Sequence, residues 1–454
     1  MALDRDVLDV NVRIQSPYVS TTGLGTPLIA GAATFAGEYV KSYGPDDDYA
    51  SDTDLSAPII AQITAAFSKS SEGMAPALVK VGKVDTDVAQ IANLAITTSA
   101  IGKIYGVTID GSSYTFVGID ALPATVTAAL KVLIDLGGHA ITVTDNGTDL
   151  DLTADVAGTP FTTATPSTVD GVQVLTTPTP NVSIKTSLDA IKAEDNDWFW
   201  LLTESQLKLD LARVFEWIAL PANQPKFYHS QTADADVITT ATDDIASVAK
   251  AANNSHVAVF YHPTAAQYPA AAWVGMVGSV NLDEKTTSWD KKTFTGTYTL
   301  YQPSAAIKTI LEGKNCNWYD SFFGNGATYP GKFAAGNISG GFIDLRTSAD
   351  WWGVRTEENI AKYMLAIANR NEKIPMSNEG IGLIEGWARE IYDLGVDIGH
   401  FTPESGVFNM PTLDPNETNT LSSTNRTNRH VPFTASTQAL GSIVTAALVA
   451  DLYA

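Results

Sequence analysis

Between residues 198 and 262 the chain alternates short apolar runs with amphipathic stretches, and this alternation restricts the possible folds more than any other feature. Trp198-Phe199-Trp200-Leu201-Leu202 reads as a buried strand. Leu207, Leu211, Val214, Phe215 and Ile218 then recur at helical spacing. Lys226–His229 predicts a second strand, Asp243–Ala252 a capped helix, and His256–His262 a third strand. Strands alternating with helices in this way build a mostly parallel, layered sheet. The alanine-rich run Ala265–Val277 predicts a closely packed helix.

Upstream, Leu8, Val10, Val12 and Ile14 point one way and Asp9, Asn11 and Arg13 the other, which predicts a half-buried strand. After a Gly/Thr/Pro stretch at Thr21–Pro27, the apolar run Leu28–Ala33 follows. Asp46-Asp47-Asp48 sits in a turn, and without calcium-loop spacing it reads as a solvated loop. A helix over Ser56–Ser68 turns Ile59, Ile60, Ile63 and Phe67 inward, and the strand Ala77–Val84 follows. At the other end, Arg429–Phe433 precedes a β-compatible run, Ile443–Tyr453, with Val444, Leu448 and Leu452 apolar.

The composition shifts between Ile91 and Pro180, where Lys103 and Lys131 are the only lysines and no arginine occurs. Tyr105–Phe116 predicts a hairpin turning at Asp110-Gly111, and Thr125–Leu136 a helix. Ile141–Asp145 and Asp149–Ala154 predict a second hairpin around Asn146-Gly147. A strand and linker over Thr159–Pro180 close the unit. It reads as a small α+β module inserted between the strand Ala77–Val84 and a helix at Ser187–Glu194. Loop closure entropy grows slowly with length, so such insertions cost little.

Lys+Arg number 28 against 50 Asp+Glu, a net charge of −22. A surface this acidic repels a phosphate backbone and an anionic membrane, so neither nucleic acid nor membrane is expected as a partner. Cys316 is the single cysteine, so no intrachain disulfide forms, in keeping with assembly in a reducing cytoplasm. The charged N-terminal residues lack the apolar core of a signal peptide, and no window approaches the roughly 18 apolar residues of a membrane span.

Chemistry-bearing residues do not converge on a reaction. His256 and His262 flank a strand at a spacing that matches no common ligand pair, and read as packing or surface histidines. Asp344 with Arg346, and Arg355 with Glu357 and Glu358, read as ion pairs anchoring a strand–helix junction. Gly324–Gly331 and Gly336–Gly341 lack the endings of phosphate or dinucleotide loops and read as turned connections. Trp318, Tyr319, Phe322, Phe323 and Tyr329 read as core or subunit-interface anchors. No catalytic, metal-binding or cofactor-binding residue is assigned.

The block Gly340–Glu385 has the most distinctive order. A strand-like run, Gly341–Leu345, carries Asp344, and a short loop leads to Trp351 and Trp352. A helix with Ile360, Met364 and Ile367 on one face follows. Then come Lys373-Ile374-Pro375-Met376 and Ser377, which caps a second helix that starts with Gly380-Ile381 in its first turn. This order resembles the C-terminal half of contractile phage tail sheath proteins. Ala77–Val84, Ser187–Trp198, His256–His262 and Tyr268–Val277 extend the likeness along the chain, and some members of that branch carry small domains where Tyr105–Thr163 lies here.

The resemblance implies an α/β and α+β multidomain chain: a layered mixed sheet core flanked by helices, a small inserted β-rich α+β domain, and extended terminal strands. Residues 1–20 would form an N-terminal arm strand, 21–90 and 181–430 the two parts of the core, 91–180 the inserted surface-exposed domain, and 431–454 a C-terminal strand or arm. It further implies a structural subunit, not an enzyme, polymerising as stacked hexameric rings in a helical sleeve that contracts around a tail tube. Partners would be other copies of the chain, the tube protein, and baseplate and tail terminator proteins, in the virion tail after assembly in the host cytoplasm. No cofactor is implied. Asp344, Trp351, Lys373, Pro375 and Gly380 would be structural. Leu8, Val10, Val12, Ile14, Val444, Leu448 and Leu452 would form strands exchanged between subunits, although on sequence alone both ends also fit edge strands of their own domain. The other readings open at this stage are a different virion or surface-layer subunit, such as a tube or capsid protein, and an α/β enzyme with an inserted lid.

Overall fold

The structure, a computed structural model, describes residues 25–68, 75–296, 298–335, 341–413, 421–422, 424–425 and 428–441. The predicted arm residues Leu8, Val10, Val12, Ile14, Val444, Leu448 and Leu452 lie outside the described residues. Two compact units emerge: one from Met1–Gly31, Val40–Gly82 and Asp195–Ala454, the other from Ala32–Tyr39 and Lys83–Glu194.

The described chain starts with strands β1 (Pro27–Gly31) and β2 (Val40–Tyr43), helix α1 (Ala57–Phe67) and strand β3 (Val79–Lys83). Next come β4 (Ile91–Ile96), β5 (Ile104–Ile109), β6 (Ser112–Val117), α2 (Pro123–Asp135), β7 (Ile141–Asp145), β8 (Asp149–Ala154), β9 (Thr163–Ala164), β10 (Gln173–Thr179) and α3 (Ile184–Glu194). The alternation foreseen from the apolar runs follows as β11 (Trp200–Thr203), α4 (Lys208–Ala219), β12 (Phe227–Thr232), α5 (Ile245–Ala251) and β13 (Val257–Tyr261). Beyond it lie α6 (Pro269–Trp273), α7 (Ala305–Gly313) and the hairpin β14 (Trp318–Phe322) with β15 (Asn325–Tyr329). Two long helices, α8 (Ile343–Asn369) and α9 (Asn378–Ile398), and a short pair, β16 (Val407–Asn409) and β17 (Thr434–Ser436), follow among the described residues.

In the larger unit β13, β12, β11, β1, β3 and β2 form one mixed sheet in that order. β1 pairs parallel with β11, β11 with β12 and β12 with β13, while β2 runs antiparallel at the far edge. Helices between successive parallel strands cover the sheet, so β11, β12 and β13 are buried along their whole length. Ser56 caps α1 by accepting the Ile59 amide at 3.3 Å, and Ile59 and Ile63 face inward, while Ile60 and Phe67 are only half-buried. Asp244 caps α5 through the Ala246 and Ser247 amides, and its carboxylate also takes Lys314 Nζ at 2.7 Å.

Two expectations are corrected here. Ala265–Val277 is not one helix: a 3₁₀ turn at Ala265–Gln267 ends at Tyr268 in the left-handed region, φ 37°, before α6 and a π turn at Val274–Gly278. Gly341–Leu345 is not a strand followed by a loop. Helix α8 already starts at Ile343, and both Trp351 and Trp352 lie within it. A short apolar run carries no periodicity that separates a strand from the first turn of a buried helix.

The smaller unit has its own core, in which Leu94, Tyr105, Val107, Leu130, Ile134 and Leu152 pack from strands and helix alike. An antiparallel sheet ordered β10-β4-β8-β7 and a second ordered β6-β5-β9 flank α2. The β5–β6 hairpin turns at Asp110 and Gly111, with φ of 47° and 82°, the geometry that favours Asp-Gly. Val88 and Val182 exchange backbone hydrogen bonds of 3.0 and 3.3 Å, bringing the two ends of the module together.

Among the buried side chains of the main sheet, His229 on β12 stands out. Its ring lies 4.7 Å from that of Trp289 and 5.4 Å from those of Trp200 and Trp273, and neither ring nitrogen has a hydrogen-bond partner among the described residues. Burial alone pushes its pKa down to about 3. The folded protein therefore holds the neutral ring, whereas the unfolded chain protonates below about pH 6.5. Stability attributable to this residue is complete above that pH and lost as the pH falls toward the folded value. At pH 5 the loss amounts to about 2 kcal/mol. Urea unfolding at pH 7 and pH 5 checks this: His229→Leu should lose about 2 kcal/mol less than wild type between the two. Equal losses would show that His229 is not held neutral.

Candidate functional site

The first half of α8 and what packs on it form a dense network of polar anchors. Trp351 and Val354 are buried, and so are the polar groups of Thr347, Ser348, Asp350, Arg355 and Asn359. Polar side chains on the inward face of a helix need partners, and each of these has one. Thr347 Oγ1 and Ser348 Oγ donate back to carbonyls one turn earlier, Ser348 to Asp344 O at 2.8 Å. Asn359 Nδ2 donates to Trp387 O and to Glu390 Oε2, both at 3.0 Å, which ties α8 to α9.

Asp283 is the central group. Its Oδ1 accepts from Trp351 Nε1 and from Arg355 Nε, and its Oδ2 from Arg355 Nη2, all at 2.7 Å. Arg355 Nη1 donates to Glu358 Oε2 at 2.8 Å. Burial by itself raises the Asp283 carboxyl, but the Arg355 and Trp351 hydrogen bonds outweigh it and hold the pKa below the usual carboxylate range. Burial raises the Glu358 carboxyl, and Arg355 offsets only part of that. The expected pairing of Asp344 with Arg346 is corrected: Arg346 binds Asp350, one turn onward, and Asp350 also meets His256 Nε2 at 2.9 Å. Asp283 carries no signal in the sequence, because its partner lies 72 positions away in a different element.

His400 lies against the same helix. Its ring stacks on Trp351 at 4.4 Å, Nε2 donates to Leu282 O and Nδ1 meets Ser348 Oγ, both at 2.8 Å. Burial lowers its pKa. The C-terminal segment attaches here: Leu440 N donates to His400 O and Thr402 N to Gln438 O, both at 2.9 Å. Next to it β16 and β17 form an antiparallel pair, Phe408 opposite Ala435, with Trp352, Tyr392 and Phe401 beneath.

Beyond Asn359 the helical hairpin is less covered. Ile360 and Ile367 are half-buried and Met364 is 47% exposed, so the predicted apolar face is covered only in part within one chain. Lys373 and Pro375 are exposed in the connection to α9. Ser377 Oγ caps α9 by accepting the Gly380 amide at 3.4 Å. A Cβ on Gly380 would lie 1.9 Å from Pro375 O, so this motif glycine is required for the loop to close on the helix.

The remaining candidates stay apart. His262 bonds to Thr264 O and Thr299 O, far from the His256–Asp350 pair in partners. Asp47 takes the Gly44 amide and Asp48 takes Ser51, as in an ordinary turn. Gly336 to Gly340 lie outside the described residues. Trp318 and Tyr319 are buried, whereas Phe322 and Phe323 are exposed. Among the described residues no cluster of three metal-ligating side chains occurs, and no helix is long and apolar enough to cross a membrane.

No protein-family model and no curated relative matches the sequence. Among solved structures, the helical sheath of the anti-feeding prophage in its contracted state matches with a TM-score of 0.55 at 10% identity, over 96% of each chain. The chain has a sheath-protein fold. The sheath tail protein of Listeria innocua matches with a TM-score of 0.46 at 10% identity, over 92% of this chain and 96% of the other. That of Desulfitobacterium hafniense matches with a TM-score of 0.41 at 11% identity, over 86% and 91%.

Within the sheath fold, the Asp283 junction joins α8 to the loop that follows the π turn at Val274–Gly278, and its strength is measurable. Removing one partner of a buried ion pair costs about 3–5 kcal/mol, and less where one side is solvated. Asp283 is 36% exposed against 9% for Arg355, so Asp283→Ala should cost about 2 kcal/mol at pH 7. The depressed carboxyl makes this contribution complete above the unfolded pKa and lost as the pH falls through the folded value. The difference between variant and wild type in denaturant unfolding should therefore shrink below about pH 4. A difference that stays constant down to pH 2 would contradict the assignment.

Proposed function

We propose that this chain is the subunit of a contractile phage tail sheath, polymerising as a six-fold helical sleeve around a tail tube and contracting to drive the tube through the host envelope. The observation that carries this reading is the correspondence of fold with a helical sheath over 96% of both chains. The work of contraction would come from a conformational difference stored at assembly, with neither nucleotide nor metal consumed. Baseplate, tube and tail terminator proteins would be its partners, and the virion tail its location. The module at residues 91–180 would be an outward decoration, in keeping with its own core and its apposed ends.

Linkage between subunits would run through the chain ends. The β16–β17 pair has no further strand on either side among the described residues, so it offers two edges for strand addition. The C-terminal segment is fastened at His400 just before residues 442–454, where Val444, Leu448 and Leu452 supply apolar positions. Leu8, Val10, Val12 and Ile14 supply the same at the other end. A donated strand gains about 1 kcal/mol per hydrogen bond, and ordering costs about 1–2 kcal/mol per residue, so the apolar face must be buried as well. Two arms per subunit keep neighbours at high effective concentration while the cores slide.

Sedimentation velocity and circular dichroism test this directly. Deleting residues 2–16, or truncating after Ser442, should leave a folded monomer that builds no sleeve. Val10→Pro or Val12→Pro should act alike by removing a ladder donor. Variants that polymerise like wild type, or that lose the monomer fold, would refute the exchanged-arm reading.

A further inference from the structure

We propose that the tip of the β14–β15 hairpin is a docking knob for a second copy of this chain, an inference that rests on the self-assembly proposed above. Phe322 pairs with Asn325, leaving Phe323 and Gly324 as a two-residue turn with φ of 50° and 87°. Such turns need positive φ at both central positions and so favour Asn-Gly or Asp-Gly, the solution found at Asp110-Gly111. A phenylalanine in the left-handed region is an outlier that costs stability. Nothing within the described chain compensates. Phe323 is 92% exposed, and its ring meets only that of Phe322, itself 42% exposed, at 4.8 Å. Strain at a solvent-exposed aromatic points to a contact made outside the monomer.

Charge identifies the occupant. Copies that each carry −22 repel one another, so local faces where cations meet carboxylates favour association. The hairpin is such a face. Lys291 Nζ sits 3.8 Å above the Tyr329 ring and 5.5 Å from that of Phe322. Its side chain is 29% exposed, whereas that of its partner Asp290, at 2.7 Å, is only 2% exposed. Lys308, on α7, repeats the arrangement over Asp320 of β14: its side chain is 42% exposed and that of Asp320 4%, a pair 2.6 Å apart. Both pairs turn the ammonium outward and keep the carboxylate beneath. Two exposed phenylalanines with a displayed lysine beside them fit an acidic face, which the acid-rich surface of another copy supplies. A desolvated aromatic anchor of this kind dominates the affinity of an interface.

The full-length wild type, Phe323→Asn and Lys291→Gln decide the matter when light scattering is followed against concentration and monomer melting is followed alongside. Asparagine suits the turn, so Phe323→Asn should melt a few degrees higher, roughly the shift of a relieved backbone strain in a large domain. The concentration at which it polymerises should rise at least about tenfold. Lys291→Gln leaves the turn untouched and should raise the threshold while weakening its dependence on salt. Polymerisation of Phe323→Asn at the wild-type threshold overturns the knob alone. Failure of the wild type to polymerise at any concentration overturns the self-assembly reading and the knob with it.

Discussion

One loop carboxylate fixes how the helical half of the protein meets the sheet. Asp283 receives three N–H groups from a single helix, and through Trp351 and Arg355 it sets both the rotation and the axial position of α8. The elements C-terminal to α8 depend on that placement. Asn359 ties α9 to α8, Tyr392 and Phe401 on and beyond α9 support the β16–β17 pair, and His400 takes the C-terminal segment. A bidentate Arg–carboxylate contact suits this duty because its two parallel bonds define direction as well as energy.

Strength at this junction has a mechanical meaning in the proposed sleeve. Subunits that slide while linked through their ends would carry load from the C-terminal segment to the rest of the chain, and the contacts of His400 with Leu440 and Ser348 would route it through α8. A rigid core with compliant linkers lets a few kcal/mol of preference per subunit act in concert over many copies. The acidic surface works in the opposite sense, since like charges oppose association except where cations are displayed. In the proposed sleeve, assembly would then depend on a few local contacts rather than on general attraction, which would favour a defined geometry over aggregation.

Where a local rule decides the structure, the sequence was readable. The Asp110-Gly111 turn, the strands on either side of Asn146-Gly147, the Ser377 cap and the alternation from β11 to β13 each follow from spacing or turn chemistry within a few residues. The misreadings have separate causes. Gly341–Leu345 looked like a strand because five residues cannot display a helical period, and Ala265–Val277 looked continuous because alanine tolerates every helical variant, including the break at Tyr268. The site itself was legible only in part. Trp351, Pro375 and Gly380 stood out in a recognisable order, but Asp283 and His400 did not, since their importance arises from partners brought by the fold from distant elements.

Negative-stain microscopy of the purified full-length protein, taken through increasing concentration, tests the central claim most directly. Hollow sleeves or stacked rings of one diameter that form without nucleotide or added metal are expected. Uniform monomers at every concentration would contradict it.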